Sequence, residues 1–181
     1  MSRRRRKIAA LLGVALTVPV LLVALLIDSE FARYQPRVAA LQGGLPNVER
    51  QLPLNVQRAF LKLTNQEVDR WVARNLLWSL TERTGNLRWH LRFAMWETLI
   101  PSWYNRSERL SLFAHFLTAK DATGLQQVSR VIFAKDPDEL SVDEALGLLV
   151  VLRGPSRFSP SRAPAEYRRE LEKLKTRLGA V

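Results

Sequence analysis

Residues 133–160 read FAKDPDELSVDEALGLLVVLRGPSRFSP. Ser141 stands where a helix N-cap is wanted, and Glu144 sits three residues on, able to reach back to the cap amide. Leu140 before the cap and Ala145 after it are placed as a hydrophobic staple. From Ala145 to Leu152 the chain is apolar on every side, which marks a helix buried all round rather than one lying on a surface. Gly154 and Pro155 stop it. The Pro-Ser-Arg-Phe-Ser-Pro segment that follows predicts an ordered loop, with Arg157 held between two prolines.

Working outward, the same helical signals recur. A short helix is predicted over Asn55–Leu63. Thr64 and Glu67 form a capping box opening a second helix to about Leu80, striped by Val68, Trp71, Val72, Leu76 and Leu80. A polar turn, Thr81–Asn86, leads to a third helix over Leu87–Leu99 that Pro101 should end. Asn105 with Glu108 caps a fourth, striped by Leu110, Phe113, Ala114 and Leu117. A fifth covers Thr123–Phe133, and Pro164 opens a last one lined by Tyr167, Leu171, Leu174 and Leu178. No run alternates as a strand would, so the body reads as all-α. Residues 28–53, broken by Pro36, Gly43, Gly44, Pro46 and Pro53, read as a tether.

The chain has 181 residues and a formal charge of +11, but Arg3–Lys7 supply five of its 28 cations. The body keeps 23 against 17 anions, or +6. That excess suits an anionic membrane surface or a pyrophosphate-bearing lipid, and by charge alone a nucleic acid. Cysteine is absent, which excludes disulfides and cysteine metal sites. Ile8–Ile27 carries no charge over 20 residues, long enough to cross a bilayer core as a helix. Its basic lead and the following Asp28 and Glu30 put the tail inside and the body outside the cytoplasmic membrane. A cleaved signal peptide is the alternative; its apolar region would be shorter, and no small-x-small site precedes Asp28. The expected layout is a basic tail at 1–7, a span at 8–27, a tether at 28–53 and a domain at 54–181. An external body disfavours a nucleic-acid partner.

The quoted stretch resembles the peptidoglycan glycosyltransferases, glycosyltransferase family 51. Phe133, Lys135, Leu140, Glu144, Ala145, Pro155, Ser156, Arg157, Ser159 and Pro160 match that family's wording, with Ala134 replacing a glycine and Phe158 a tyrosine. Upstream, Gly124, Leu125, Gln126 and Ser129 fall on its GIEAAS. Leu110, Leu112 and Phe113 fall on ILELYLN, and Leu91, Arg92 and Ala94 on RKLKEA. Val72-Ala73-Arg74-Asn75-Leu76 resembles LAKNL. Arg58–Leu61 resembles the lead into EDRRF. The resemblance implies a mostly helical, lysozyme-like domain that polymerises a lipid-linked disaccharide precursor, with cell-wall synthesis proteins as further partners and a divalent cation as a cofactor the family admits.

That reaction needs a general base for the acceptor hydroxyl and cationic help for the departing pyrophosphate. The resemblance assigns two glutamates to the work, and here those positions are Thr64 and Ser111. Neither hydroxyl can act as a carboxylate base near neutral pH. Glu67 and Asp69, close to Thr64, are the candidate substitutes; helix capping is the competing reading of Glu67, and a solvated helix face that of Asp69. Arg74 keeps the charge of the family's lysine, beside Asn75. Arg88, Arg92 and Arg157 complete a candidate phosphate-binding set, against which stands the reading of plain surface arginines. The expectation is therefore a membrane-anchored domain that binds the precursor or a synthesis partner with weak or no catalysis. An active enzyme using Glu67 or Asp69, and a purely structural domain, are the rivals. Trp71, Trp78, Trp89, Trp96 and Trp103 recur at helical intervals, favouring core packing over a membrane-resting belt. His90 and His115 have no partner at ligand spacing, so no metal site is expected from them.

Overall fold

The structure, a computed structural model, describes residues 29–82, 85–154 and 157–179. It is mostly helical. The expected span Ile8–Ile27 lies outside the described residues; among these, no helix is long and apolar enough to cross a membrane. The chain divides into two compact units, Met1–Ala39 and Ala40–Val181. In the described part of the first, residues 29–32 are helical and the Tyr34 N–H donates to the Phe31 carbonyl at 2.9 Å.

The proline-broken segment expected as a tether is largely helical. Helix α1 spans Gln35–Gly43 and α2 spans Asn47–Arg50. Pro46 and Pro53, read as breakers, are the N-cap residues of α2 and of α3, Leu54–Phe60. A residue with fixed φ and no N–H costs nothing where a helix has no bond to make, so each proline starts an element. Arg50 then ties the turn by donating from Nη2 to the carbonyls of Gly43 and Leu45, both at 2.9 Å.

Three predicted capping boxes form with both reciprocal bonds. Thr64 and Glu67 open α4, Asn65–Leu80; Asn105 and Glu108 open α6, Arg106–His115; Ser141 and Glu144 open α8, Val142–Leu152. Between the first two, α5 runs Asn86–Trp103, and Pro101 lies inside it rather than ending it. In the last turn the proline removes one bond only, and the Tyr104 N–H still closes on the Ile100 carbonyl at 3.0 Å. The all-α expectation also needs amending. Thr118–Ala119 (β1) and Ala122–Thr123 (β2) pair antiparallel in a tight hairpin, too short for any alternation to show in sequence. Helix α7 covers Leu125–Phe133, a 3₁₀ turn covers Pro137–Glu139, and α9 covers Pro164–Arg177 with Pro164 in its first turn.

Helix α8 is the centre of the domain. Every residue from Ala145 to Val151 is buried. Helices α3, α7 and α9 pack on it, and α4 packs on both α5 and α6. The staple residues Leu140 and Ala145 are both buried. Gly147 sets the approach of α9, because a Cβ there would run into the Tyr167 hydroxyl and meet the Phe133 ring at 3.1 Å. Phe60 and Phe113 meet edge-to-face at 5.2 Å, joining α3 to α6.

Candidate functional site

The two positions where glutamates are expected do not share a cavity. Thr64 is the exposed N-cap of α4. Its Oγ1 accepts the Glu67 N–H at 3.1 Å, and its own N–H donates to Glu67 Oε2 at 2.9 Å. Ser111 is buried on α6 and donates from Oγ to the Arg50 carbonyl at 3.4 Å. It lines a shallow hollow with Gln42, Gly43, Leu45, Arg50, Ser107 and Glu108.

A different cavity, of about 290 Å³, opens beside the start of α4. Leu63, Glu67, Arg70, Trp71 and Arg74 line one side; Phe113, Leu149, Leu152, Arg153 and Leu174 line the other. Its lining is apolar, with three arginines and one carboxylate. Arg70 Nε is 3.3 Å from Glu97, and Arg153 Nη1 is 3.2 Å from Glu170. Arg74 differs: its guanidinium stacks over the Trp71 ring at 4.7 Å and has no carboxylate partner among the described residues. Trp71 Nε1 is buried with no acceptor.

Both candidate substitute bases are already engaged. Asp69, read as lying on a solvated face, is buried, and its Oδ1 accepts from Arg109 Nη1 at 2.6 Å. The surface reading fails because the α4 register turns this side chain inward against α6. Arg106 lies in the same cluster. Burial and the nearby Arg109 lower its pKa, Asp69 opposes this, and its Nη2 donates to the Leu63 carbonyl at 2.7 Å. Glu67 caps α4 and pairs through Oε1 with Arg177 Nη2 at 3.0 Å. Partial burial pushes its pKa up, but the Thr64 hydrogen bonds and Arg177 outweigh that and leave it below the ordinary 4.5. A carboxyl held low is a weaker base than a free one.

This has a testable consequence. A lowered folded-state pKa gives stability that is present above the unfolded value and lost as pH falls through the folded one. Glu67→Ala should lower stability by about 1 kcal/mol at pH 7, the usual worth of a cap. The deficit relative to wild type should shrink as pH drops below 4.5, and urea unfolding at a series of pH values measures it.

The other candidates are dispersed. Asn75 Nδ2 is bound to the Trp71 carbonyl within α4 at 2.8 Å. Arg88 and Arg92 lie one turn apart on α5. Arg157 is exposed, stacked over Phe158 at 5.3 Å. None of the four lines the cavity that holds Arg74. Two residues of the resemblance prove structural: Lys135 Nζ donates to Glu144 Oε1 at 2.7 Å, stapling the end of α7 to the start of α8.

Sequence reasoning missed Glu49. It is buried, accepts the Leu125 N–H on Oε1 at 2.9 Å, and holds His115 Nδ1 at 2.9 Å on Oε2. His115, left without a partner by spacing, thus has one 66 residues away. No local pattern could have announced it. Among the described residues no three His, Cys, Asp or Glu side chains group as metal ligands, so the donor set does not fit the divalent cation that the resemblance admits.

A family model described as Transglycosylase matches residues 72–178. The match takes in Arg74, Asn75, Arg88, Arg92, Ser111 and Arg157, and begins past Thr64, Glu67 and Asp69. No curated protein matches the chain.

Proposed function

The chain belongs to the transglycosylase family of peptidoglycan glycosyltransferases, and from that premise we propose that it binds the lipid-linked disaccharide precursor without polymerising it. The domain would keep the family's lysozyme-like scaffold and work on the outer side of the cytoplasmic membrane, anchored through Ile8–Ile27. The observation that carries the reading is Arg74, a guanidinium with no carboxylate partner among the described residues, at an otherwise apolar cavity. A pyrophosphate on an isoprenoid-like chain has the matching chemistry: anion for Arg74, hydrocarbon for Leu149, Leu152 and Leu174.

Catalysis lacks its means. Thr64 and Ser111 cannot take a proton as carboxylates would, and each lost acid or base costs roughly 10²–10⁴-fold. The reading in which Glu67 or Asp69 substitutes loses support from their engagement with Thr64, Arg177 and Arg109. A purely structural domain would give no reason for an arginine without a carboxylate partner beside an apolar hollow.

The test is a fluorescent precursor titrated into the full-length protein in detergent micelles, with glycan chain length read from the same samples. Saturable binding without chain growth is expected. Arg74→Ala should weaken that binding about tenfold or more, the usual cost of a charged hydrogen bond. Processive chain growth, or binding indifferent to Arg74→Ala, would refute the proposal.

A further inference from the structure

Exposed apolar side chains gather at one end of the α4–α5 helix pair. Leu87 and Leu91 are 75% and 65% exposed, and Trp78, at the end of α4, is 54% exposed. Large apolar residues this open at one place call for an explanation. Leu87 and Leu91 are four residues apart, so they share a face of α5. That face points away from the side carrying the buried Trp96 and Ile100. The rings beneath are fixed: Trp89 stacks on Phe93 at 5.3 Å with planes 5° apart, and Trp78 meets Trp89 at 5.9 Å. The leucines therefore stand on a rigid aromatic base.

The charge around them has one sign. Between Trp71 and Trp96 the sequence carries Arg74, Arg83, Arg88 and Arg92 against Glu82 alone. Arg88 and Arg92 flank the leucines on the same helix, where long basic side chains can keep their heads at a polar boundary while apolar neighbours go deeper. We propose that this helix-pair tip docks into the interface of an anionic phospholipid bilayer, with Leu87, Leu91 and Trp78 among the acyl chains and Arg88 and Arg92 at the headgroups. A second copy of the chain fits worse, because a two-fold contact would set these arginines against their own images. The Ile8–Ile27 segment, read as a span, would hold the domain at such a surface, where modest affinity suffices.

The absence of cysteine makes the test clean. The full-length protein carrying a spin label at Leu87→Cys, Leu91→Cys or, as control, Glu172→Cys on α9 is reconstituted into phosphatidylglycerol-containing vesicles free of precursor. The outcome is thus independent of the precursor-binding proposal. Labels at 87 and 91 should collide more with oxygen than with a water-soluble nickel chelate, and the label at 172 the reverse. In phosphatidylcholine alone, or with Arg88→Glu and Arg92→Glu together, the preference at 87 and 91 should fall, by about fivefold in partitioning per cation removed. A label at 87 as accessible to nickel as that at 172 would overturn the proposal. Strong spin–spin broadening at 87 would overturn it in favour of a second copy.

Discussion

Replacing Asp69 by alanine should destabilise the domain by about 3–5 kcal/mol, the usual cost of breaking a buried ion pair from one side. Asp69 is 4% exposed and Arg109 7%, and their 2.6 Å contact bridges α4 and α6. Alanine would leave the Arg109 guanidinium buried beside Arg106, whose own pKa burial and Arg109 already lower. Such a loss is a large part of the 5–15 kcal/mol that holds a typical domain together. Asp69→Leu combined with Arg109→Met should recover most of it, since an apolar pair of similar volume often replaces a buried ion pair at little cost. Urea unfolding of the two variants measures both effects. If the single variant were as stable as wild type, the pair would not be structural, and Asp69 would again be a candidate base.

Gly124→Ala should cost about 3 kcal/mol or more. The backbone there has φ +85°, a conformation that burdens any residue with a Cβ by roughly 1–3 kcal/mol. The added methyl would also collide with Glu49 Oε1. The carboxylate would have to withdraw, giving up the Leu125 N–H and the His115 ring together, and a hydrogen bond to a charged group is worth roughly 1.5–3 kcal/mol. Because the collision needs both partners, Gly124→Ala should cost distinctly less in a Glu49→Ala background, with only the backbone strain left. Equal costs in both backgrounds, measured by chemical denaturation, would show that the Glu49 contact contributes nothing.

Together these variants separate architecture from chemistry. Asp69 and Glu49 are the carboxylates the interior holds, and each is spent on joining helices. Glu67 is spent on starting one. What is left at the cavity is a basic, apolar surface suited to holding an amphiphilic anion rather than moving a proton.

The capping boxes at Thr64, Asn105 and Ser141 were legible because each acts between residues three apart, and the buried helix because its apolar run is continuous. Pro101 misled because a proline in a last turn costs so little. The residues around Pro46 misled because a proline before a helix looks the same as one in a tether. The tryptophans show the limit of periodicity. Trp89 and Trp96 share a helix side by spacing, yet nothing in that spacing told that Trp96 would be buried and Trp78 left open, since burial depends on which neighbour covers each face.

Sequence alone therefore determined the helices, the family and the loss of both expected glutamates, because caps, apolar runs and motif residues are properties of neighbouring positions. Only the tertiary structure decided which charges are spent and which remain. Asp69 and Arg109 meet across 40 residues and Glu49 and His115 across 66, and Thr64 and Ser111 end at different hollows. Those outcomes depend on how helices with no shared local signal pack around α8, and a buried charge takes whatever partner that packing brings within reach.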